Sequence, residues 1–516
     1  MIGWRLPGTP TRRRRAAVTL VILTAALVVA PVMRDDSSAV DLAPVATPCP
    51  PGSEWQLHDL VNAFRVRHGA WELPLSAELT RKAQAWSESM ADSGVLAHSP
   101  LADGVSPGYT AVAENVALDV SVAGAEASFE QSSAHRANLL GAATEMGVGV
   151  SRDEHGRVWV AQLFAQRSVP TPPYRGPANS SAYHPIVPFV ELRGSAAIDA
   201  SVSLQVTGEG SIPIGATAVV ATVTASGATN LGRLQVLLPD STVGETSAVE
   251  FGPQGASVST VLPLDTAGRL TLHASVPVHL SVIVSGAFVP TGGPTSDGRF
   301  TPVDAVRLGS FSVAAGSPTS VGVIGTGGVP GTGVLAVALG VHALDDVAVT
   351  VDGAPAAGLV IAPVAADGTI DLDIPANAAP TTVTVDLAGW FTDSSAPATT
   401  SGLFVPITPG RVLDSRTGSE PVAGGRRVYV PGRHDVGACP RAVAATLTIV
   451  PGSASSAAQL GPMDGFAAGQ VPTVLSVTPK VPVSATALVA TGEGSDLGVF
   501  TSEPAEVMVD LVGWFL

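Results

Sequence analysis

Three titratable side chains between residues 98 and 135 lie outside the apolar pattern around them. His98 sits in GVLAHSPLADG, Glu114 in AENVA and His135 in SSAHRANLLG. Two imidazoles and a carboxylate suit a divalent metal such as zinc, and they equally suit a cavity that takes a small ligand. A histidine at a helix N-terminus is favoured as the neutral imidazole, the form that binds metal or accepts a proton. Their spacing follows no known ligand rhythm. From the residues alone, a shared site and separate surface or core histidines both remain open.

The elements that must position these residues are legible in the surrounding pattern. Ser53 with Gln56 reads as a capping box, and Leu57, Leu60, Val61 and Phe64 share one helical face before His68-Gly69 ends it. Ser76 is placed to cap a second helix with the stripe Leu79, Ala83, Trp86 and Met90, stopped at Gly94. In SSAHRANLLG, Ser133 is an N-cap candidate, Leu139 and Leu140 are anchors and Gly141 is a stop. Two strands follow, EMGVGVSR (145–152) and RVWVAQLFAQ (157–166). In the second, Val158, Val160 and Phe164 face one way, and Trp159, Ala161 and Leu163 the other. A strand apolar on both faces needs cover on both. Gly147 and Gly149 leave a bare stripe for close approach by a neighbour. The expected fold of residues 53–167 is therefore an α–β–α sandwich. Arg136 and Asn138 are expected to brace their turn by hydrogen bonds, and His58, His68 and His155 to be solvated.

LVNAFRVRHG, the LAHSP step, AENVA, SSAHRANLL and TEMGVGVSRDEHGRVWVAQLFA resemble, in that order, the CAP superfamily. This superfamily comprises cysteine-rich secretory proteins, antigen 5 and plant pathogenesis-related proteins, and its domain is also called SCP. The likeness is to its bacterial branch. The resemblance implies an α–β–α sandwich with an open cavity lined by two histidines and two glutamates. His98, Glu114 and His135 match three of these positions. The second glutamate is expected three residues after an aromatic; from Phe129 that offset reaches Ser132, while Glu130 is one residue after it. The implied set is incomplete, which disfavours any mechanism needing two carboxylates. The superfamily is linked to lipid or sterol binding and to disputed protease activity. No HExxH or GxSxG is present.

Beyond the proline-rich linker 168–183 the composition turns to Val, Thr, Ala and Gly, and helical periodicity disappears. VSGAF (284–288), LAGWF (387–391) and LVGWF (511–515) each close a valine-rich strand. HPIVPFVELR, FTPVDAVRL and FVPITPGRVLDSR open the corresponding units. The spacing predicts three all-β, sandwich-like domains over 184–290, 298–393 and 401–516. They resemble a β-rich repeat appended to exported proteins of high-GC bacteria. Asp386 and Asp510 are placed to pair with Arg307 and Arg411, while the first unit has Ile283 where these aspartates stand. The units are expected to act as spacers, with a face for carbohydrate or cell envelope as the alternative.

The N-terminus carries an address. Arg12 to Arg15 precede the uncharged run 16–33, so residues 1–39 read as an export signal or a membrane anchor, followed by a linker at 40–52. Everything after about residue 40 is expected outside the cell or at its surface. The formal charge of −16 argues against nucleic acid as a partner. Cys49 and Cys439 are expected to be unpaired or independently buried thiols. The leading function is an exported or surface-anchored protein that binds a small molecule, lipid or divalent metal at His98, Glu114 and His135, without catalysis. The alternatives are a metal-assisted hydrolase of peptides or envelope polymers, and an adhesin acting through the β units.

Overall fold

A computed structural model describes residues 52–168, 176–196, 200–343, 347–417, 421–437, 439–451, 456–462, 473–477, 482–492 and 495–516. The chain divides into two compact units, residues 74–170 and residues 36–73 with 171–516. The first helix, α1 (Gly52–Arg67), falls in the second unit. No helix among the described residues is long and apolar enough to cross a membrane, and the apolar run 16–33 lies outside them.

The first unit is built on three antiparallel strands, β1 (Tyr109–Asp119), β2 (Glu145–Arg152) and β3 (Val158–Arg167), in the order β1-β3-β2. Three helices accompany them, α2 (Ala77–Ser93), α3 (Val122–Gln131) and α4 (Ser133–Leu139). The buried stripe Leu79, Ala83 and Met90 of α2 packs on Trp159, Ala161 and Leu163. Gly147 and Gly149 explain the closeness of that packing. A Cβ at either would overlap the backbone of Leu79 or Ala83. On the other face, Glu126 of α3 accepts a hydrogen bond from Gln162 of β3. Residues from α2 and α3 thus cover opposite faces of β3, as its two apolar sets require.

The helix ends differ from expectation in their caps. Ser53 lies inside α1, and its hydroxyl donates to Glu54 at 2.7 Å, so it is not the cap of a box. Ser132, not Ser133, is the N-cap of α4, and neither Ser132 nor Ser76 makes a side-chain capping bond. Gly94 does end α2 in the left-handed region, its N–H donating to Met90 O.

In the second unit the three sequence repeats are three modules of one assembly. Each contributes four strands, ordered first-fourth-second-third, to the main path of a 15-stranded sheet, and the third module adds three more beside that path. The first module uses Ser181–Ala196, Ala218–Ser226, Ala256–Pro263 and Val278–Pro290. The second uses Phe300–Val313, Val334–Ala343, Gly358–Pro363 and Thr381–Thr392. The third uses Phe404–Asp414, Ala442–Pro451, Val483–Ala490 and Asp496–Phe515. Each module has its own apolar core. A fourth core, shared by all three, contains Tyr183, Phe288, Phe300, Phe391, Phe404 and Phe515. Ring pairs cross between modules: Phe288 with Phe404 at 4.3 Å, Phe300 with Phe515 at 4.6 Å, and Tyr183 with Phe391 at 4.7 Å. Such pairs add about 0.5–1.5 kcal/mol each beyond area burial. Burial on both faces explains why AVVATVT and AVAATLT are apolar with little alternation.

The segment carrying α1 is tied to this β assembly. Asp59 Oδ2 accepts from Arg441 Nη1 at 2.7 Å, and the same nitrogen donates to Ser401 Oγ at 2.8 Å. The Arg441 guanidinium lies 5.2 Å from the Trp55 ring centre, a cation–π distance. Thr400 N donates to buried Glu72 at 2.8 Å. Two residues before Arg441, Cys439 is disulfide-bonded, which overturns the expectation of unpaired thiols. The other cysteine of the chain, Cys49, lies outside the described residues. His58 is likewise not solvated. It is buried, with Nε2 3.0 Å from Leu73 O, because the segment ending at Leu73 folds back along α1. His68 and His155 are exposed as expected.

Candidate functional site

His98 and Glu114 are brought together. His98 Nδ1 lies 2.8 Å from Glu114 Oε2, and Ser99 N donates to the same oxygen at 2.8 Å. The Glu114 side chain is fully buried, whereas that of His98 retains 25% of its exposure. Two contacts from α2 fasten the AHSP step in place. Trp86 Nε1 donates to Ala97 O at 2.8 Å, and Lys82 Nζ to Pro100 O at 2.7 Å. Burial pushes the Lys82 ammonium down from its ordinary range, while Glu114 and Asp103 act against that shift. Glu114 Oε1 is buried and has no hydrogen-bond partner among the described residues.

Strand alternation separates two layers around β1. Glu114 is opposite Leu163, whose side chain belongs to the core beneath α2. Its neighbour Asn115 is opposite Gln162 and points to the other face. There a buried chain of amides runs through the sheet. Gln162 Nε2 donates to Glu126, Asn115 Nδ2 to Gln162 Oε1 at 3.0 Å, and Asn138 Nδ2 to Asn115 Oδ1 at 2.9 Å. Asn115 Nδ2 also reaches His135 O at 3.3 Å. His135 is fully buried, its ring edge-on to Phe129 at 5.1 Å. Asn138 therefore braces the α4 turn as expected.

The sequence reading placed His98, Glu114 and His135 in one set. The structure joins the first two directly and puts the third beside the amide chain. Among the described residues, no group of three or more His, Cys, Asp or Glu is placed to hold a metal ion. Glu114 Oε2 already accepts two hydrogen bonds, which suits a held carboxylate better than a metal ligand. Sequence reasoning missed Lys82, Asn115, Gln162 and Glu126. The available signal was polarity inside strands otherwise apolar on both faces, at Asn115 and Gln162. Glu126 precedes the aromatic Phe129 by three residues instead of following it, so the motif offset passed it by.

Residues 58–164 match the family described as CAP, the cysteine-rich secretory protein family. The chain thus carries a CAP domain in that stretch, as the ordered motifs implied. No curated protein matches the chain. Among solved structures it is similar to an outer surface protein from Borrelia burgdorferi, at 12% identity and a TM-score of 0.21. That likeness covers 24% of this chain and 100% of that one. It is also similar to a structure titled as the STIV MCP, at 6% identity and a TM-score of 0.19, covering 65% of this chain and 97% of that one. A structure of Sulfolobus Turreted Icosahedral Virus matches at 6% identity and a TM-score of 0.18, covering 65% and 91%.

Proposed function

We propose that the chain is an exported or surface-anchored CAP-domain protein that holds a small ligand against the His98–Glu114 pair, with its β modules as the supporting body. The observation that carries this reading is Glu114 Oε1, a buried acceptor with no partner among the described residues, on a carboxylate fixed by His98 and Ser99. Buried polar atoms are almost always satisfied, and a ligand donor satisfies this one. In this reading the fixed carboxylate serves as a recognition element for the ligand. Export rests on Arg12 to Arg15 ahead of the apolar run 16–33. The disulfide at Cys439 supports an oxidising compartment.

Native mass spectrometry of the chain recovered from its own cell envelope tests the ligand. The expected result is a bound small molecule on the unaltered chain that is lost from a His98→Ala/Glu114→Gln variant. Unaltered chain of bare mass, or equal loading of the two proteins, rejects the reading. Protease added to intact cells is expected to cut within 168–183; full protection rejects export.

A further inference from the structure

The three modules meet in three pairs, and one of these contacts is built differently. Along the main path of the sheet, the second and third modules each pair with the first. Their outer strands, Phe300–Val313 and Val483–Ala490, are the two ends of that path. Hydroxyls fasten the two paired contacts. Thr222 lies opposite Ser259 in the first module, their oxygens 2.8 Å apart. Thr222 donates to Pro355 O of the second module at 3.1 Å, and Ala357 N donates to Ser259 at 3.1 Å. Thr446 lies opposite Thr486 at the same step of the third module, and Thr486 donates to Thr260 of the first at 2.8 Å. The second module has Gly340 opposite Leu359 at this step, and neither carries a hydroxyl. A cavity of about 60 Å³ lies there instead, lined by Gly340, His342, Leu359 and Asp386 with Leu460 and Leu488 of the third module. That is room for roughly two waters at ~30 Å³ each, well short of the roughly 300 Å³ at which ligand pockets begin.

We propose that the contact between the second and third modules is an acid-opened seam, with His342 as its trigger. His342 shares the cavity wall with Asp386, whose two carboxylate oxygens Arg307 already grips. Asp386 and Arg307 are the charged groups that act on the imidazole. The third module brings leucine, glycine, proline, alanine, valine and Thr486 to the cavity, and no titratable side chain among the described residues. Burial pushes the His342 imidazole down from its ordinary range, and it outweighs the opposing pull of Asp386. A proton on the ring therefore adds a charge whose nearest counter-ion is already committed, inside an apolar gap. Water relieves that cost, and parting the modules admits water. An imidazole depressed in the closed state favours closure above its ordinary value of about 6.5, and the preference is lost as pH falls through the closed-state value. The hydroxyl bonds at the other two contacts hold the assembly together while the seam parts.

Hydroxyl-radical footprinting of the full chain tests it, comparing about pH 7.5 with about pH 5, on either side of the ordinary histidine value. Leu359 and Leu488 line the cavity and are buried, as are Val220 and Val261 of the first module. Oxidation of the two leucines is expected to rise severalfold at the lower pH, while the two valines stay unchanged. His342→Gln should remove the rise. Gly340→Thr, which copies the other two modules, should reduce it by filling the gap. A Cβ at Gly340 meets only His342 Nε2 at 3.6 Å and Asp386 Cβ at 3.9 Å, so this variant fits the fold. Equal oxidation of the leucines at both pH values would overturn the proposal on the unaltered chain alone. A rise shared by Val220 and Val261, or one undiminished by either substitution, would overturn it too.

Discussion

Arg411 grips Asp510 through two hydrogen bonds, Nε to Oδ1 at 2.8 Å and Nη2 to Oδ2 at 2.9 Å, across the register that pairs their strands. Arg307 and Asp386 make the same fork in the second module, at 2.9 and 3.3 Å. The first module places Val190 opposite Ile283 at the equivalent step, so both members of the pair are replaced, not the acid alone. Asp510 also accepts from Ser247 N of the first module. Removing one partner of a buried pair costs roughly 3–5 kcal/mol, whereas an apolar pair of similar volume is often close to neutral. Asp510→Ala is therefore expected to lower the unfolding midpoint of the full chain markedly. The double change Arg411→Val/Asp510→Ile, copying the first module, should cost less. An Asp510→Ala midpoint equal to that of the unaltered chain, in thermal or urea unfolding, would sink this account.

The repeated glycine before each closing aromatic has a steric cause. A Cβ at Gly513 would overlap the Phe404 ring, at Gly389 the Phe300 ring, and at Gly286 the Tyr183 ring. These rings fill the core shared by the modules. Overpacking of this kind costs roughly 1–3 kcal/mol, so Gly513→Ala is expected to destabilise the chain measurably. Gly425→Ala is the control, because a Cβ there meets nothing within 4 Å. Equal midpoints for the two variants would contradict the packing argument.

Much of this was readable in the chain, and the unreadable parts share a cause. Periodicity located α2, β2 and β3 because each buries a continuous apolar stripe, and the glycines at 147 and 149 announced the close helix. Repetition located the modules and their Arg–Asp pairs. The shared core was hidden because no local pattern says that three repeats turn their aromatics toward one another. His58 was misjudged because its cover, the return segment ending at Leu73, is not on its own helix. Within the candidate site, the motifs indicated His98 and Glu114 as neighbours. The fastening role of Lys82 and the amide chain through Asn115 and Gln162 depend on contacts between distant elements that spacing does not encode.

Arg441 is the hub that joins α1 to the β modules, which gives the junction a pH dependence. Burial alone would raise the Asp59 carboxyl, but Arg441 and then His58 outweigh it and hold that group well below the ordinary range. A carboxyl depressed in the folded state contributes stability above its unfolded value of about 3.9, lost as pH falls through the folded one. Glu72 has the opposite sign: burial raises it, so its contribution is present at low pH and fades as pH rises. Arg441→Ala should cost on the order of 2 kcal/mol near neutrality, given the partial exposure of Asp59. It should also flatten the loss of stability below about pH 4. Unchanged acid unfolding in Arg441→Ala would show that Asp59 is not anchored there.

The disulfide at Cys439 makes a separate statement about the same junction. Cys439 is disulfide-bonded and Cys49 is the one other cysteine of the sequence, so a Cys49–Cys439 bridge is expected. Non-reducing peptide mapping should recover Cys49 and Cys439 in one linked fragment. Losing a native disulfide typically costs about 2–5 kcal/mol. Cys49→Ser/Cys439→Ser is therefore expected to melt lower than the oxidised chain and to be insensitive to reductant. Two free thiols on the mapped protein would remove the link.

Glu114 offers the most direct test of the pair. Glutamine keeps its shape and can still accept from Ser99 N through its carbonyl oxygen, but it loses the charge that His98 faces at 2.8 Å. The expected cost of Glu114→Gln is about 1.5–3 kcal/mol, the range for a hydrogen bond to a charged group. Glu114→Ala should cost more, because it strands the Ser99 N–H in a buried site and opens a cavity beside the core under α2. His98→Ala should fall below both, since a quarter of that side chain is already exposed and water can replace part of what it donates. The order alanine at 114, then glutamine at 114, then alanine at 98 is thus set by burial. Urea midpoints in any other order would mean that His98, not the buried carboxylate, organises this part of the CAP domain.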